Sequence, residues 1–331
     1  MVIDWQHHYC PPELLRLRGR KPLPAGTPIR NAQGQVLSHS VPELFDIEAH
    51  LRFMDAAGID KAVISMAGSI THEETGVIND AYAALVKKWP DRFVALASCV
   101  PCKAEQSVRE LERAIGGLGL SGVCIDYSVD GHALDSKALW PFYDCASQLG
   151  VPVFVHIAGT RPGFEGLQSS DFNLWTTLGT MVVDQTATVR VILSGVMTDF
   201  PDLQLVIAHM GGGIAANKDR FTKYLKLWGE RIWTELGGTP PAKEPLDEYF
   251  EACFARMYFD LAGYEGGMNA LRCALVSIAP SRLLFGTDYP FNFTDIPGEV
   301  RQYVANIRAI GLSQEATEGV LAGNAARLLR L

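Results

Sequence analysis

Eight short runs of strand-forming residues, each followed by a stretch of helical spacing, predict an α/β chain folded as one (β/α)8 TIM barrel. Two further observations point the same way. At 331 residues the chain is long for an ordinary domain and normal for a single barrel, and no change of composition divides it. Runs such as Val151-Pro152-Val153-Phe154-Val155 and Leu205-Val206-Ile207-Ala208 are apolar on both faces, as parallel strands under helices must be. Residues 1–331 therefore read as one domain.

The elements follow in order. Val2-Ile3 leads into Asp4-Trp5-Gln6-His7-His8, and Pro11-Pro12 stops this first strand. Residues 11–40, with the turn signal Asn31-Ala32-Gln33-Gly34, read as a long loop or short hairpin inserted after strand one, a lid over the site. Ser40-Val41-Pro42-Glu43 resembles a capping box and predicts a helix to Ala57, ended by Gly58. Strands are then expected over 61–66, 93–98, 122–127, 152–156, 203–209, 257–261 and 282–288. The intervening helices are expected over 76–88, 104–115, 137–149, from Leu178, 213–228 and 268–278, with 296–310 and 314–330 closing the chain.

Composition excludes several classes. A net charge of −8 without a basic run argues against nucleic acid or an anionic membrane as the main partner. No apolar run reaches the roughly 18 residues that span a bilayer, and polar residues from Asp4 onward interrupt any signal peptide. Seven scattered cysteines suit reduced thiols, so a cytoplasmic location is expected. Cys99-Val100-Pro101-Cys102 has CxxC spacing but no redox-fold context, and buried or loop thiols are the better reading.

The chemistry gathers at strand ends. His8 ends strand one, His156 strand five, His209 strand six and Asp288 strand eight, each after an apolar run that does not itself require a polar side chain. In this barrel all these ends share the face where active sites are built. A single strand-end histidine is usually structural. Four coincident cases point to a metal site instead, since two imidazoles, a carboxylate and an open position are what a mononuclear catalytic metal needs. With period two, Asp4, Gln6 and His8 share one face, and His7 and Cys10 are weaker substitute ligands. Arg161, past His156, is a candidate for a substrate carboxylate, as are Arg16, Arg18, Arg20 and Arg30, which read equally as solvated loop charges. Trp175, Phe164 and Phe172 could wall a substrate pocket, and Asn292 lies near the Asp288 rim. His39, His50, His72 and His132 read as surface or capping residues.

The stretches Ile3-Asp4 to His8, Val155-His156, Ile192-Leu193-Ser194-Gly195, Ala208-His209-Met210-Gly211-Gly212-Gly213, Leu284-Phe285-Gly286-Thr287-Asp288-Tyr289-Pro290 and Gly323-Asn324-Ala325-Ala326-Arg327-Leu328 resemble, in order, those of the amidohydrolase superfamily. The similar branch is amidohydrolase-related and contains aminocarboxymuconate-semialdehyde and γ-resorcylate-type decarboxylases. That family opens on Asp-x-His-x-His, both histidines binding metal. Here the second histidine is His8, and Gln6 stands in the first position.

The resemblance implies one divalent ion, Zn²⁺ or Mn²⁺, on His8, His156, Asp288 and Gln6. The neutral oxygen donor of Gln6 shifts preference from Zn²⁺ toward Mn²⁺ or Mg²⁺. It also implies His209 as acid/base or an extra ligand, and Asp288 or His209 as proton donor. Asp4 is expected to orient the ligands. The reaction implied first is non-oxidative decarboxylation of a small aromatic or unsaturated carboxylic acid. Hydrolysis of an ester, lactone, amide or C–C bond uses the same residues. A third reading is a subunit of a heteromeric metal-dependent assembly such as an oxygenase. The family implies a homodimer.

Overall fold

The structure is a computed structural model that describes every residue except 31–33, 35, 67–68, 158–173, 236–238, 242–244, 264–266 and 292–295. Eight parallel strands follow one another round a ring: β1 (Ile3–His8), β2 (Lys61–Ser65), β3 (Phe93–Ser98), β4 (Gly122–Asp126), β5 (Pro152–His156), β6 (Gln204–Ile207), β7 (Tyr258–Asp260) and β8 (Leu283–Leu284). Each pairs with the next in sequence. The chain beyond β8 closes the ring against β1. Trp5 N–H donates to Phe285 O, Asp288 N–H to Gln6 O and His8 N–H to Tyr289 O, each at 2.8 Å.

Two apolar layers hold this arrangement. Inside the ring lie Ile3, Trp5, Val63, Val94, Leu96, Phe154, Val206 and Leu284, with Trp5 edge-on to Phe154 at 5.9 Å. Aromatic pairs in this geometry add about 0.5–1.5 kcal/mol to simple burial. Ala322, Ala325, Leu328 and Leu329 join the same layer from Asn324–Leu329 and the turn before it, and form its floor. Asn324 Nδ2 anchors that floor by donating to Pro280 O and Leu283 O, both at 2.8 Å. The opposite strand faces pack against the surrounding helices.

Boundaries depart from expectation where a local cap decides them. Pro42–Phe45 forms a separate 3-10 turn, and the helix proper is Ile47–Ala57. Its cap is Asp46, whose carboxylate accepts from Glu48 N and Ala49 N; Ser40 does not cap it. Thr71 and Glu74 make the capping box that starts His72–Lys88 four residues before the predicted Gly76. The amphipathic helix Leu246–Arg256, absent from the predicted set, packs Tyr249, Phe250, Cys253 and Phe254 into the core. After β1 come a short helix, Pro12–Leu17, and the antiparallel pair Pro28–Arg30 with Val36–His39. Among the described residues no helix is long and apolar enough to cross a membrane. All seven cysteines, Cys99 and Cys102 included, are free.

Candidate functional site

The site begins with an irregularity in β1. Asp4 pairs with Ala62 but His7 with Ile64, so three steps along β1 match two along β2. The extra residue is a bulge, which interrupts strict alternation. Ile3 and Trp5 point into the ring, yet Gln6 and His8 also reach the centre, whereas Asp4 and His7 meet each other outside it. The shared face expected for Asp4, Gln6 and His8 is thereby corrected: Asp4 lies on the other side.

Three predicted ligands converge. One ligand atom from each of His8, His156 and Asp288 lies within 4.8 Å of the others. His8 Nε2 stands 2.9 Å from Asp288 Oδ1, and His156 Nε2 is 3.9 Å from the same oxygen. On the far side of its ring, His8 Nδ1 is 3.3 Å from Ser65 Oγ at the end of β2. Asp288 itself has φ 58°, a left-handed backbone that non-glycine residues adopt mainly where the surroundings hold them. Burial opposes charge on Asp288, but His8, His209 and His156 hold its carboxyl well below the usual carboxylate range. His8 is fully buried, whereas the side chains of His156 and Asp288 keep 9% and 12% exposure, so a ligand approaches from their side.

Gln6 joins this cluster to His209. Its Nε2 donates to Asp288 Oδ1 at 2.8 Å and lies 3.1 Å from His209 Nε2. Gln6 Oε1 is buried with no hydrogen-bond partner. An orphaned amide oxygen beside two imidazoles and a carboxylate fits a divalent cation, since buried acceptors are otherwise satisfied. The donor set therefore suits the metal that the sequence implies.

His209 does not end a strand. β6 stops at Ile207, and His209 opens a left-handed turn in which residues 209 to 213 have φ of 55°, 51°, 60°, 65° and 76°. Three glycines make this possible. A Cβ on Gly212 would lie 1.9 Å from Met181 O, and one on Gly263 would lie 2.8 Å from the His209 ring. His209 N–H donates to Asp260 Oδ1 at 3.0 Å, and its ring Nδ1 faces Asp184 Oδ2 at 2.9 Å. That contact leaves Nε2 facing the site. Burial disfavours the imidazolium, but the Asp184 hydrogen bond and the charges of Asp184, Asp288 and Asp260 outweigh it and raise His209 to about 9.

Asp184 and Asp260 were not singled out in the sequence. Asp260 ends β7 after an apolar run, the same signal that marked His8 and His156. Burial pushes its carboxyl up to about 7. Asp184 carries a weaker signal, one acid on the buried face of Thr180–Leu193.

His7 and His50 differ from expectation. Both are fully buried, and His50 is not a surface residue. His7 Nδ1 meets Asp4 Oδ2 and His7 Nε2 meets His50 Nδ1, each at 2.8 Å, so His7 points away from the metal donors. Burial raises Asp4 to about 7 and lowers His7 to about 3, which favours a protonated Asp4 beside a neutral His7. Arg18 is held bidentately by Glu74, Arg16 pairs with Glu13, and Arg30 donates to Gly34 O. Cys10 belongs to the outer apolar layer, not to the donor cluster. Arg161, Phe164, Phe172 and Asn292, and the side chain of Trp175, lie outside the described residues.

The amidohydrolase family model (Amidohydro_2) matches residues 3–331. The chain is 28% identical over 271 residues to γ-resorcylate decarboxylase of Polaromonas sp. strain JS666, covering 76% of this chain and 79% of that one. It is 27% identical over 255 residues to 2-amino-3-carboxymuconate-6-semialdehyde decarboxylase of Dictyostelium discoideum, covering 77% and 66%. In fold it is similar to the crystal structure of 5-carboxyvanillate decarboxylase from Sphingomonas paucimobilis, with a TM-score of 0.80, 24% identity, and coverage of 100% and 99%. With the family model spanning the barrel and every donor at its mouth, the chain belongs to the amidohydrolase family.

Proposed function

We propose that this chain is a metal-dependent, non-oxidative decarboxylase of a small aromatic or unsaturated carboxylic acid. The observation that carries the reading is the convergence of His8, His156 and Asp288 within 4.8 Å, with His209 reached across Gln6. The decarboxylases among its relatives support it. His8, His156, Asp288 and the orphaned Gln6 Oε1 would hold one divalent ion, Mn²⁺ or Zn²⁺. When bound, that ion would supply Lewis-acid and template chemistry for a carboxylate substrate.

The residues divide the remaining work by their charge. Asp288, held ionised, suits a cation-holding carboxylate and is a poor proton source. The neighbouring carboxylates favour protonated His209 up to about 9, and Gln6 Nε2, itself a donor 3.1 Å away, cannot accept from His209 Nε2–H, which leaves that proton for the substrate carbon. The bond from substrate carbon to carboxylate breaks, its electron pair stays on that carbon, and the His209 proton replaces the departing CO₂. Asp184 orients the ring and stabilises its charge. Residues 11–40 would cover the opening, and Arg161, Asn292 and Trp175 remain the proposed substrate contacts.

The test is elemental analysis of the purified chain, followed by CO₂ release from hydroxylated benzoic acids and unsaturated dicarboxylic acids with Mn²⁺ or Zn²⁺. About one metal per chain and CO₂ formed mole for mole with the protonated product are expected. Cleavage of esters or lactones with no CO₂ from any acid would replace this reading with hydrolysis.

A further inference from the structure

A buried line of hydrogen bonds runs behind the site, and the chemistry above uses none of it. Glu43 O accepts from His50 Nε2, His50 Nδ1 accepts from His7 Nε2, and His7 Nδ1 meets Asp4 Oδ2, all at 2.8 Å. Asp4 in turn accepts from Thr287 N at 2.9 Å and Thr287 Oγ1 at 2.6 Å. Thr287 Oγ1 also accepts from Tyr289 N at 3.1 Å. The line thus ends on both neighbours of Asp288.

Rings hold the same segment from the same helix. Tyr289 packs against both Phe53, with centroids 3.9 Å apart and planes 7° apart, and His7, at 4.9 Å and 23°. His50 meets Tyr289 edge-on at 4.9 Å. His50 and Phe53 are three residues apart on Ile47–Ala57, so one helical face carries both supports. Cohesion alone does not call for this line, because well-packed apolar side chains of similar volume stabilise a core at least as well as buried polar groups. A fully satisfied polar network instead fixes direction. Direction is what Asp288 needs, since its φ of 58° is a left-handed backbone that an aspartate tolerates but does not by itself enforce.

We propose that His50 and His7 are positioning residues for Asp288. Through Asp4 and Thr287 they fix the left-handed backbone that brings Asp288 Oδ1 to 2.9 Å from His8 Nε2. The inference rests on the reading of Asp288 as a metal-holding group. It ties the helix that follows the inserted segment to the geometry of the metal donors.

The test compares His50→Phe, which keeps volume but breaks the line, with His50→Gln, which can still donate and accept. Mn²⁺ affinity is read by chelator competition, and both metal-free variants are crystallised. His50→Phe is expected to weaken Mn²⁺ binding about ten-fold, as loss of an outer-shell partner does, and His50→Gln to restore most of it. Thr287→Val and Thr287→Ser repeat the comparison from the other end, and decide the matter if His50→Phe does not fold. Unchanged Mn²⁺ affinity in both His50→Phe and Thr287→Val overturns the proposal. So does equal loss in the disruptive and conservative variants. If the wild-type chain binds neither Mn²⁺ nor Zn²⁺, the metal reading fails separately. The metal-free crystals then decide positioning: Asp288 displaced from His8 supports it, and Asp288 unmoved overturns it.

Discussion

Asp184 Oδ2 lies 2.9 Å from His209 Nδ1, and the Asp184 side chain is fully buried. The pair crosses from the helix Thr180–Leu193 to the left-handed turn after β6, and it decides which ring nitrogen faces the substrate. Asp184→Asn should therefore lower kcat by about 10²–10³ while leaving metal content unchanged, because Asp184 is not among the clustered donors. An acid must be protonated to act, so activity falls as pH rises through the His209 value of about 9. Without Asp184 that fall should move toward the ordinary 6.5. Steady-state kinetics from pH 6 to 10 checks both.

The same groups set the pH dependence of metal-free stability. His209 is raised from 6.5 to about 9, so its contribution is complete below 6.5 and lost as pH rises through 9. Asp260 is raised from 3.8 to about 7, so stability declines between those values, where the unfolded chain's carboxyl has ionised and the buried one still holds its proton, and levels off above 7. Asp260→Asn keeps an oxygen for His209 N–H and Ala262 N–H. It should remove the decline from pH 4 to 7 and stabilise the metal-free protein at pH 8 by on the order of 2 kcal/mol. Urea midpoints across this range measure it; an unchanged slope would show that Asp260 does not titrate there.

Gly212→Ala tests the left-handed turn. Its Cβ would meet Met181 O at 1.9 Å in a backbone of φ 65°. The backbone strain and the clash together should cost about 3 kcal/mol or more, read as a Tm lower by roughly 5 °C or more. A Tm equal to wild type would rule out this close approach.

Two substitutions test the donor set. His8→Ala should abolish metal retention through gel filtration, a larger loss than the ~10–100-fold that outer partners cause. Gln6→His restores the family's usual pair and should hold metal as tightly or more tightly, with preference moving toward Zn²⁺. A collapse of metal content in Gln6→His, measured by elemental analysis, would mean that the amide shape is required beside Asp288 and His209.

Apolar runs and their polar ends make the ring of eight strands and the candidate cluster of His8, His156 and Asp288 legible in the sequence, because both are local signals. The helix Leu246–Arg256 was equally legible: Leu246, Tyr249, Phe250, Cys253 and Phe254 follow helical spacing, but no strand adjoins it directly on the N-terminal side to draw attention. Other features are set by distant partners. The β1 bulge that separates Asp4 from Gln6 depends on pairing with β2 and on the segment after β8, which strand periodicity cannot contain. His50 looks like any helical histidine until His7 and the Glu43 carbonyl are placed on its two nitrogens. Asp184 reads as an interruption of an apolar helix, and only the turn at His209 gives it a purpose. The stretch from Gly323 to Leu328, matched as a family motif, proves to be the floor of the barrel rather than part of its chemistry.

The seam between β1 and the segment after β8 joins residues that are 282 and 283 positions apart, Gln6 with Asp288 and Asp4 with Thr287. Such distant pairings are slow to form and carry a large loop-closure entropy. His8 and Asp288 sit on opposite sides of that seam, so they meet only in molecules whose ring has shut. Any cation they hold selects shut rings from the refolding population and raises their share by mass action. A cation held there would serve as the barrel's latch, so added Mn²⁺ should raise the refolded yield of the wild-type chain.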